Sequence, residues 1–354
     1  MRILTAVGTR PQLVRGAPVS RALREAGHEE ILLHTGQHYD GALTAILPEG
    51  AGLPAPAVSL GVGSGSHGAQ VAAAARGIAE HAARLLPDAV LVAGDTNSAL
   101  AAALGARAAG IPLVHGEAGV RLGSLELPEE VNRIAADHLA DLLLAPTARA
   151  AAAARAEKPR GRTVDAGDPL LDALGDVASR GEGTVAFEPP PGEFLLATVH
   201  RAENTDRPGR LAALLRDLDA LRFPVLLPLH PRTREAMRAG GAAPAEGGSL
   251  RLLEPMPHGA LLGLARRARA VVTDSGGLQR EAFWLGVPCV VLRYRCEWTE
   301  TVEAGWAVLA GGGGADLRAA VEAPPRGESA PDLGAFGGGT AASRWVRAME
   351  EFLG

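Results

Sequence analysis

Short apolar runs, each followed by a polar or glycine-rich cluster and then by an amphipathic stretch, recur along this chain in two successive series. Such runs read as strands buried on both faces and the stretches between them as crossover helices, a pattern that requires parallel sheets covered by helices. In the first series strands are expected at Ile3–Val7, Ile31–His34, Ala89–Ala93, Leu113–His115 and Leu142–Ala145, with helices over Leu13–Glu25, Gly68–Leu86 and Ser98–Ala108. Pro18 lies inside the first helical pattern and is expected to kink it or push back its start. The pattern changes around 168–180, and Gly181-Glu182-Gly183 with Pro189-Pro190-Pro191-Gly192 reads as an irregular connector. The second series places strands at Phe194–Val199, Val225–Leu229, Leu250–Leu253, Ala270–Thr273 and Cys289–Leu292. It closes on a Gly/Pro-rich loop, from Pro324 to Gly339, and a last helix at Ala341–Phe352. The fold class is therefore α/β: two doubly wound domains in tandem, residues 1–168 and 169–339, facing a cleft.

Length and composition narrow the function classes. A chain of 354 residues is too long for one small core. The apolar share is 47% but the aromatic share only 3%, which suits Ala-rich helices packed on Val/Leu strands. A net charge of −5 with no basic tract argues against a nucleic-acid partner. No apolar run approaches the roughly 20 residues of a membrane span. Met1–Val7 reads as a strand rather than a leader, so a cytoplasmic protein with no membrane partner is expected. Cys289 sits in an apolar strand and reads as an inert buried thiol rather than half of a disulfide.

Polar clusters that directly follow parallel strands share the edge at which ligands bind. Here they are Gly8-Thr9-Arg10, His34-Thr35-Gly36-Gln37-His38, Gly94-Asp95-Thr96, Gly116-Glu117, His200-Arg201, His230-Pro231-Arg232 and Asp274-Ser275-Gly276-Gly277. The last is the most telling. A helix that opens after a strand leaves backbone N–H groups unpaired at its positive end, and Gly276 and Gly277 let a phosphate approach them. Glu281, one turn on, is placed to accept from a ribose diol. An ordinary capped helix reads the same over Ser-Gly-Gly alone, so the weight comes from Asp95, Glu117 and Glu129 in the other half. Singly these are a helix cap, a loop acid and a dipole complement. Together at one rim they form an acid–base set with separable pKa values, and Arg10, Arg15 and Arg133 are the countercharges. His200 and His230 each end a strand, but the further ligands of a zinc site are missing, so no metal is expected. Anion contact or proton transfer fits such histidines better, and for His230 a structural role stays equally open. Gly61-Val62-Gly63-Ser64-Gly65 lacks the Lys-Ser/Thr ending of a phosphate loop and reads as a mobile loop.

Together these residues resemble the non-hydrolysing UDP-N-acetylglucosamine 2-epimerases. The likeness is carried by Gly8-Thr9-Arg10-Pro11, Thr35-Gly36-Gln37-His38, Gly94-Asp95-Thr96, Glu117-Ala118-Gly119-Val120-Arg121, Pro128-Glu129-Glu130-Val131-Asn132-Arg133 and Asp274-Ser275-Gly276-Gly277-Leu278-Gln279. It implies a GT-B-type fold of two Rossmann-like domains, with the helix at 340–354 packing back on the first. Inversion at C2 of UDP-GlcNAc to UDP-ManNAc is implied as well, with no cofactor, and a homodimer is expected. By the same resemblance Asp95, Glu117 and Glu129 are the catalytic acids. Arg10, Arg15, His200, Ser275, Gly276 and Gly277 are diphosphate or sugar contacts, with His200 also counted as catalytic and Arg133 and His230 as substrate contacts. Glu281 is then the ribose ligand, and Met256 and Leu261 lie in a uracil pocket at 254–261.

The chain departs from that pattern in a consistent direction. Arg15 stands where lysine is common, and Trp298 where enterobacterial-type enzymes have arginine. The stretches 124–130, 199–206, 229–233 and 297–300 resemble a branch holding archaeal-type enzymes and 2-epimerases of 2,3-diacetamido sugar nucleotides. The second, activating substrate site of some bacterial relatives is expected to be absent, because His38–Thr44 and Gly61–Gln70 lack its glutamine pair and arginine. Alternatives to the main reading are a diacetamido-sugar 2-epimerase, a hydrolysing epimerase and a GT-B glycosyltransferase.

Overall fold

The computed structural model describes residues 1–36, 53–179, 188–207, 209–241 and 247–354. Gln37-His38, the His38–Thr44 stretch and the connector at Gly181-Glu182-Gly183 lie outside the described residues. The chain forms two compact units, Met1–Gly175 with Leu333–Gly354, and Asp176–Asp332.

Seven strands build the first unit: β1 (Arg2–Val7), β2 (Glu29–His34), β3 (Val58–Ser59), β4 (Ala89–Ala93), β5 (Leu113–Gly116), β6 (Leu142–Ala145) and β7 (Arg162–Asp165). All pair in parallel, in the order β3-β2-β1-β4-β5-β6-β7. Side chains alternate between the faces, so Leu4, Val90 and Val92 meet one apolar cluster while Ile3 and Leu91 meet the other. The first cluster is completed by α2 (His67–Leu85), α3 (Asn97–Ala109) and α4 (Pro128–Leu139). The second is completed by α1 (Arg10–Glu25) and, from the end of the chain, α14 (Ala341–Leu353), whose Trp345 is 1% exposed.

Helix α1 corrects one expectation. It opens at Arg10 and runs through Pro18 to Glu25, so Pro18 does not delay its start. Pro11 stands in the first turn, where its missing N–H costs nothing and its fixed φ favours a helix. The helix at Pro169–Ser179, α6, lies across the boundary between the units, and the second boundary falls at 332/333 rather than 339/340. Local bonds explain both positions. The Asp172 carboxylate accepts from the N–H groups of Ala341 and Ala342 at the start of α14, and Asp168 N–H donates to the carbonyl of the fully buried Phe336.

In the second unit β8 (Leu195–Thr198), β9 (Val225–Pro228), β10 (Leu250–Leu253), β11 (Ala270–Thr273), β12 (Cys289–Val291) and β13 (Ala307–Leu309) form a parallel sheet ordered β10-β9-β8-β11-β12-β13. One face packs on α8 (Arg210–Asp219), α9 (Pro231–Gly240) and α13 (Gly314–Glu322), the other on α10 (His258–Arg267) and α11 (Gly276–Trp284). Cys289 is fully buried in β12, and that burial pushes its thiol pKa up. Each sheet reverses its order once, between β1 and β4 and between β8 and β11. Doubly wound sheets bind ligands at such a switch, beside the carboxyl ends of the strands.

Candidate active site

At the switch of the first unit Gln12 bridges the two strands. Its side chain accepts from Gly8 N–H after β1 (2.9 Å) and donates to Ala93 C=O at the end of β4 (2.8 Å). Asp95 follows β4, but Thr96 caps α3 by accepting from Ala99 N–H, which leaves the Asp95 carboxylate for other work. That carboxylate pairs with Arg133 of α4, and Asn132 donates to the Asp95 carbonyl at 2.9 Å. Gly94 must be glycine twice over. Its φ is +83°, and a Cβ there would stand 3.2 Å from both Arg15 Nη1 and Glu117 Oε2.

Glu117 follows β5, the neighbour of β4, and its Oε2 lies 2.5 Å from Arg15 Nη1. It holds φ +61°, a left-handed conformation that costs a non-glycine residue about 1–3 kcal/mol and persists only where surroundings enforce it. Arg15 is 6% exposed and also stands 4.0 Å from Asp168. Glu129 and Glu130 both lie in the first turn of α4, yet their environments differ. Glu130 is buried and accepts from Leu122 N–H, Gly123 N–H and Arg133, while Glu129 remains half-buried at the positive end of the helix. Arg10 is the first residue of α1, also half-buried.

The second unit repeats the bridge with a carboxylate. Asp274, fully buried after β11, accepts from His200 N–H, Arg201 N–H and Asn204 Nδ2 at 2.9–3.0 Å, fastening the loop that follows β8. Ser275 caps α11 by accepting from Leu278 N–H. No described group accepts from the N–H of Gly276 or Gly277, the two first-turn donors that an anion needs. The rings of His200 and His230 stack with centroids 5.1 Å apart. His230 also caps α9 by accepting from Arg232 N–H at 3.2 Å, so a structural role for it is present. Enclosure by protein lowers the His200 pKa, and Arg201 and Arg232 add to this against the pull of Asp274.

Glu281 is 3% exposed and its Oε1 lies 2.6 Å from Nε2 of His258, the first residue of α10. Met256 and Leu261 are half-buried against the apolar cluster of α10 and α11. The Arg280 guanidinium covers the ring of Trp298 at 3.6 Å. Sequence reasoning did not single out His115, Asp137, Asn204 or His258, and it gave Asp274 no role of its own. Only Asp274 carried a signal, an acid directly after a buried strand.

A profile of the UDP-N-acetylglucosamine 2-epimerase family matches residues 21–350. The chain belongs to that family. Among curated members it is 38% identical to the UDP-2,3-diacetamido-2,3-dideoxy-D-glucuronate 2-epimerase of Pseudomonas aeruginosa, over 97% of this chain and 98% of that one. It is 36% identical to the UDP-N-acetylglucosamine 2-epimerase of Methanococcus maripaludis, over 86% of each. Its structure matches that of the Methanocaldococcus jannaschii UDP-GlcNAc 2-epimerase bound to UDP-GlcNAc and UDP, with a TM-score of 0.89 at 31% identity, covering 99% of this chain and 100% of that one. Like other members of the epimerase family, the chain has two parallel-sheet α/β domains of GT-B type.

Proposed function

We propose that this chain inverts C2 of UDP-N-acetylglucosamine to give UDP-N-acetylmannosamine, with no net hydrolysis. The observation that carries the reading is the pair of carboxylates at adjacent strand ends, Asp95 against Arg133 and Glu117 against Arg15, with Glu129 at the start of α4. One carboxylate with one arginine makes a salt bridge. Two such pairs on neighbouring loops, one of them in a strained backbone, make an acid–base set.

The chemistry explains why such a set is needed. The C2 proton is not next to a carbonyl, so direct removal is very unfavourable. Breaking the C1–O bond sends its electron pair onto the diphosphate and leaves cationic character at C1, which makes the C2–H acidic. The free N–H groups of Gly276 and Gly277 and the positive end of α11 stabilise the charge gained by the departing diphosphate. A carboxylate takes the C2 proton and a 2-acetamidoglucal remains. A second acid adds a proton to the opposite face of C2 while the diphosphate oxygen returns to C1. Every electron pair is recovered, so the route is redox-neutral.

A second reading keeps this chemistry and changes the sugar. The Pseudomonas relative acts on a UDP-2,3-diacetamido uronate, and this chain shares 38% of its residues. Incubation with each UDP-sugar in D2O, followed by NMR, separates the readings. Solvent deuterium at C2 of both epimers, with UDP still attached, is the expected result for UDP-GlcNAc. Turnover of the diacetamido sugar alone replaces the substrate, and release of UDP with free N-acetylmannosamine replaces the reaction. A cytoplasmic homodimer completes the proposal. No described helix is long and apolar enough to cross a membrane, and sedimentation tests the dimer.

A further inference from the structure

Resting on the epimerase reading, we propose that His115 and Asp137 are positioning residues that clamp the loops bearing Asp95 and Glu117 to one fixed separation. Neither side chain is exposed by more than 1%, so neither is placed to touch substrate. Their contacts lead to the two carboxylates from both directions.

His115 lies in β5, two residues before Glu117. Its Nδ1 is 2.6 Å from Asp137 Oδ1, and its Nε2 is 2.9 Å from Gly94 O. That carbonyl belongs to the peptide linking Gly94 to Asp95, so the ring pins the backbone on which Asp95 stands. Both partners are acceptors, so both ring nitrogens donate and the ring is an imidazolium. Burial alone would lower the His115 pKa, but the Asp137 carboxylate, the Gly94 carbonyl and the Glu117 charge together outweigh it and the net shift is upward. The other carboxylate oxygen of Asp137 accepts from Gly119 N–H at 2.9 Å and lies 2.7 Å from Arg121 Nη1. Gly119 is two residues after Glu117. The left-handed turn at Glu117 is therefore held at residues 115 and 119 by one ion pair, and the same pair holds Asp95 through Gly94.

Asp137 also shares a helix face with Glu129 and Arg133, at spacings of four residues along α4. Arg133 reaches the Asp95 carboxylate from the same face. A buried ion pair is a poor way to gain stability, since apolar residues of similar volume avoid its desolvation cost. Only a ring with two donors meets Gly94 and Asp137 together. Acids that work in turn on opposite faces of one carbon need such a brace, because a misplacement of about 1 Å costs on the order of 100-fold in rate.

The test uses whichever UDP-sugar the parent enzyme epimerises and measures two quantities, kcat and the partition ratio. The latter is 2-acetamidoglucal and UDP released per epimer formed. His115→Phe is expected to lower kcat by about 10–100-fold and to raise the partition ratio several-fold, with UDP affinity unchanged. His115→Gln, which regains the donor to Gly94, should recover part of both. A fold defect alone scales the rate and leaves the partition ratio at the parental value. Parental partition and kcat per folded molecule in His115→Phe would overturn the clamp. If that variant does not fold, Asp137→Asn takes its place with the same expected direction and the same overturning result. Nitrogen-15 NMR of the parent at neutral pH tests the clamp without turnover, since a neutral His115 ring lacks one of the two donors and overturns it. A parent that turns over no UDP-sugar defeats the epimerase reading instead.

Discussion

Two residues show how this chain places charge. Glu117 keeps a left-handed backbone because its neighbours on both sides are bound, and the Asp95 carboxylate pairs with Arg133 because Thr96 does the capping. If these carboxylates move protons in the transition state, removing their charge should affect turnover more than binding. Asp95→Asn, Glu117→Gln and Glu129→Gln are each expected to lower kcat by about 10²–10⁴-fold with KM changed far less. Steady-state kinetics on all three decide it, and near-parental turnover throughout would remove the acid–base assignment. The buried pair behind them predicts a pH profile of stability. The Asp137 pKa is lowered from 3.8, since His115 and Arg121 outweigh its burial, so its contribution is present above 3.8 and lost as pH falls through the depressed value. The His115 pKa is raised from 6.5, so its contribution is full below 6.5 and lost as pH rises through the elevated value. The stability advantage of the parent over Asp137→Asn, read from urea midpoints, should be greatest between pH 3.8 and 6.5 and shrink on the alkaline side. A flat advantage would mean that the pair is not ionised.

Among the elements, those legible in the sequence were the buried parallel strands, because a strand covered on both faces must be an unbroken apolar run. Strands β3, β7 and β13 escaped because they lie at sheet edges: Val58-Ser59 and Arg162–Asp165 are partly exposed and polar, and Ala307–Leu309 is apolar but only three residues long. The start of α1 escaped because a proline eight residues into a helix is paid for by packing against the sheet, which no local pattern reveals. The same division runs through the site. Side chains that directly follow a strand can be named from the strand, whereas the pairing of His115 with Asp137 spans 22 residues and exists only once α4 has docked. Helix α11 carries the element-scale prediction. A Cβ on Gly276 would stand 2.7 Å from Trp298 Nε1 and 3.0 Å from Glu297 Oε1, so Gly276→Ala must push the helix start or those side chains aside. Glu281→Ala instead leaves the helix in place and removes one acceptor. Both should weaken UDP binding in calorimetry, and a ligand lacking the ribose hydroxyls should lose nothing further in Glu281→Ala. Equal UDP affinity in both variants and the parent would move the nucleotide elsewhere.

On the scale of the whole molecule, the second unit is an insertion in the chain of the first, since residues 333–354 return to complete the first unit. Trp345 is the centre of that return. Its ring is buried against β5, where a Cβ on Gly116 would lie 2.0 Å from it, and its indole N–H donates to Gly167 C=O at 3.1 Å. Trp345→Ala leaves a cavity beside Gly116-Glu117 and should cost about 3–5 kcal/mol, all of it in the first unit. The second unit has its own apolar clusters, with Ser275, Gly276 and Glu281 beside them, and none of its described hydrogen bonds reaches Trp345. UDP should therefore still raise the unfolding temperature of the second unit in the variant, by a stabilisation of about 2.7 kcal/mol at a hundred times its Kd. Epimerisation should fall with the first unit. Calorimetry with and without UDP reads both units in one scan. A Trp345→Ala protein in which UDP raises no transition would show that nucleotide binding depends on the first unit's core, and Ser275, Gly276 and Glu281 would then not suffice to hold it.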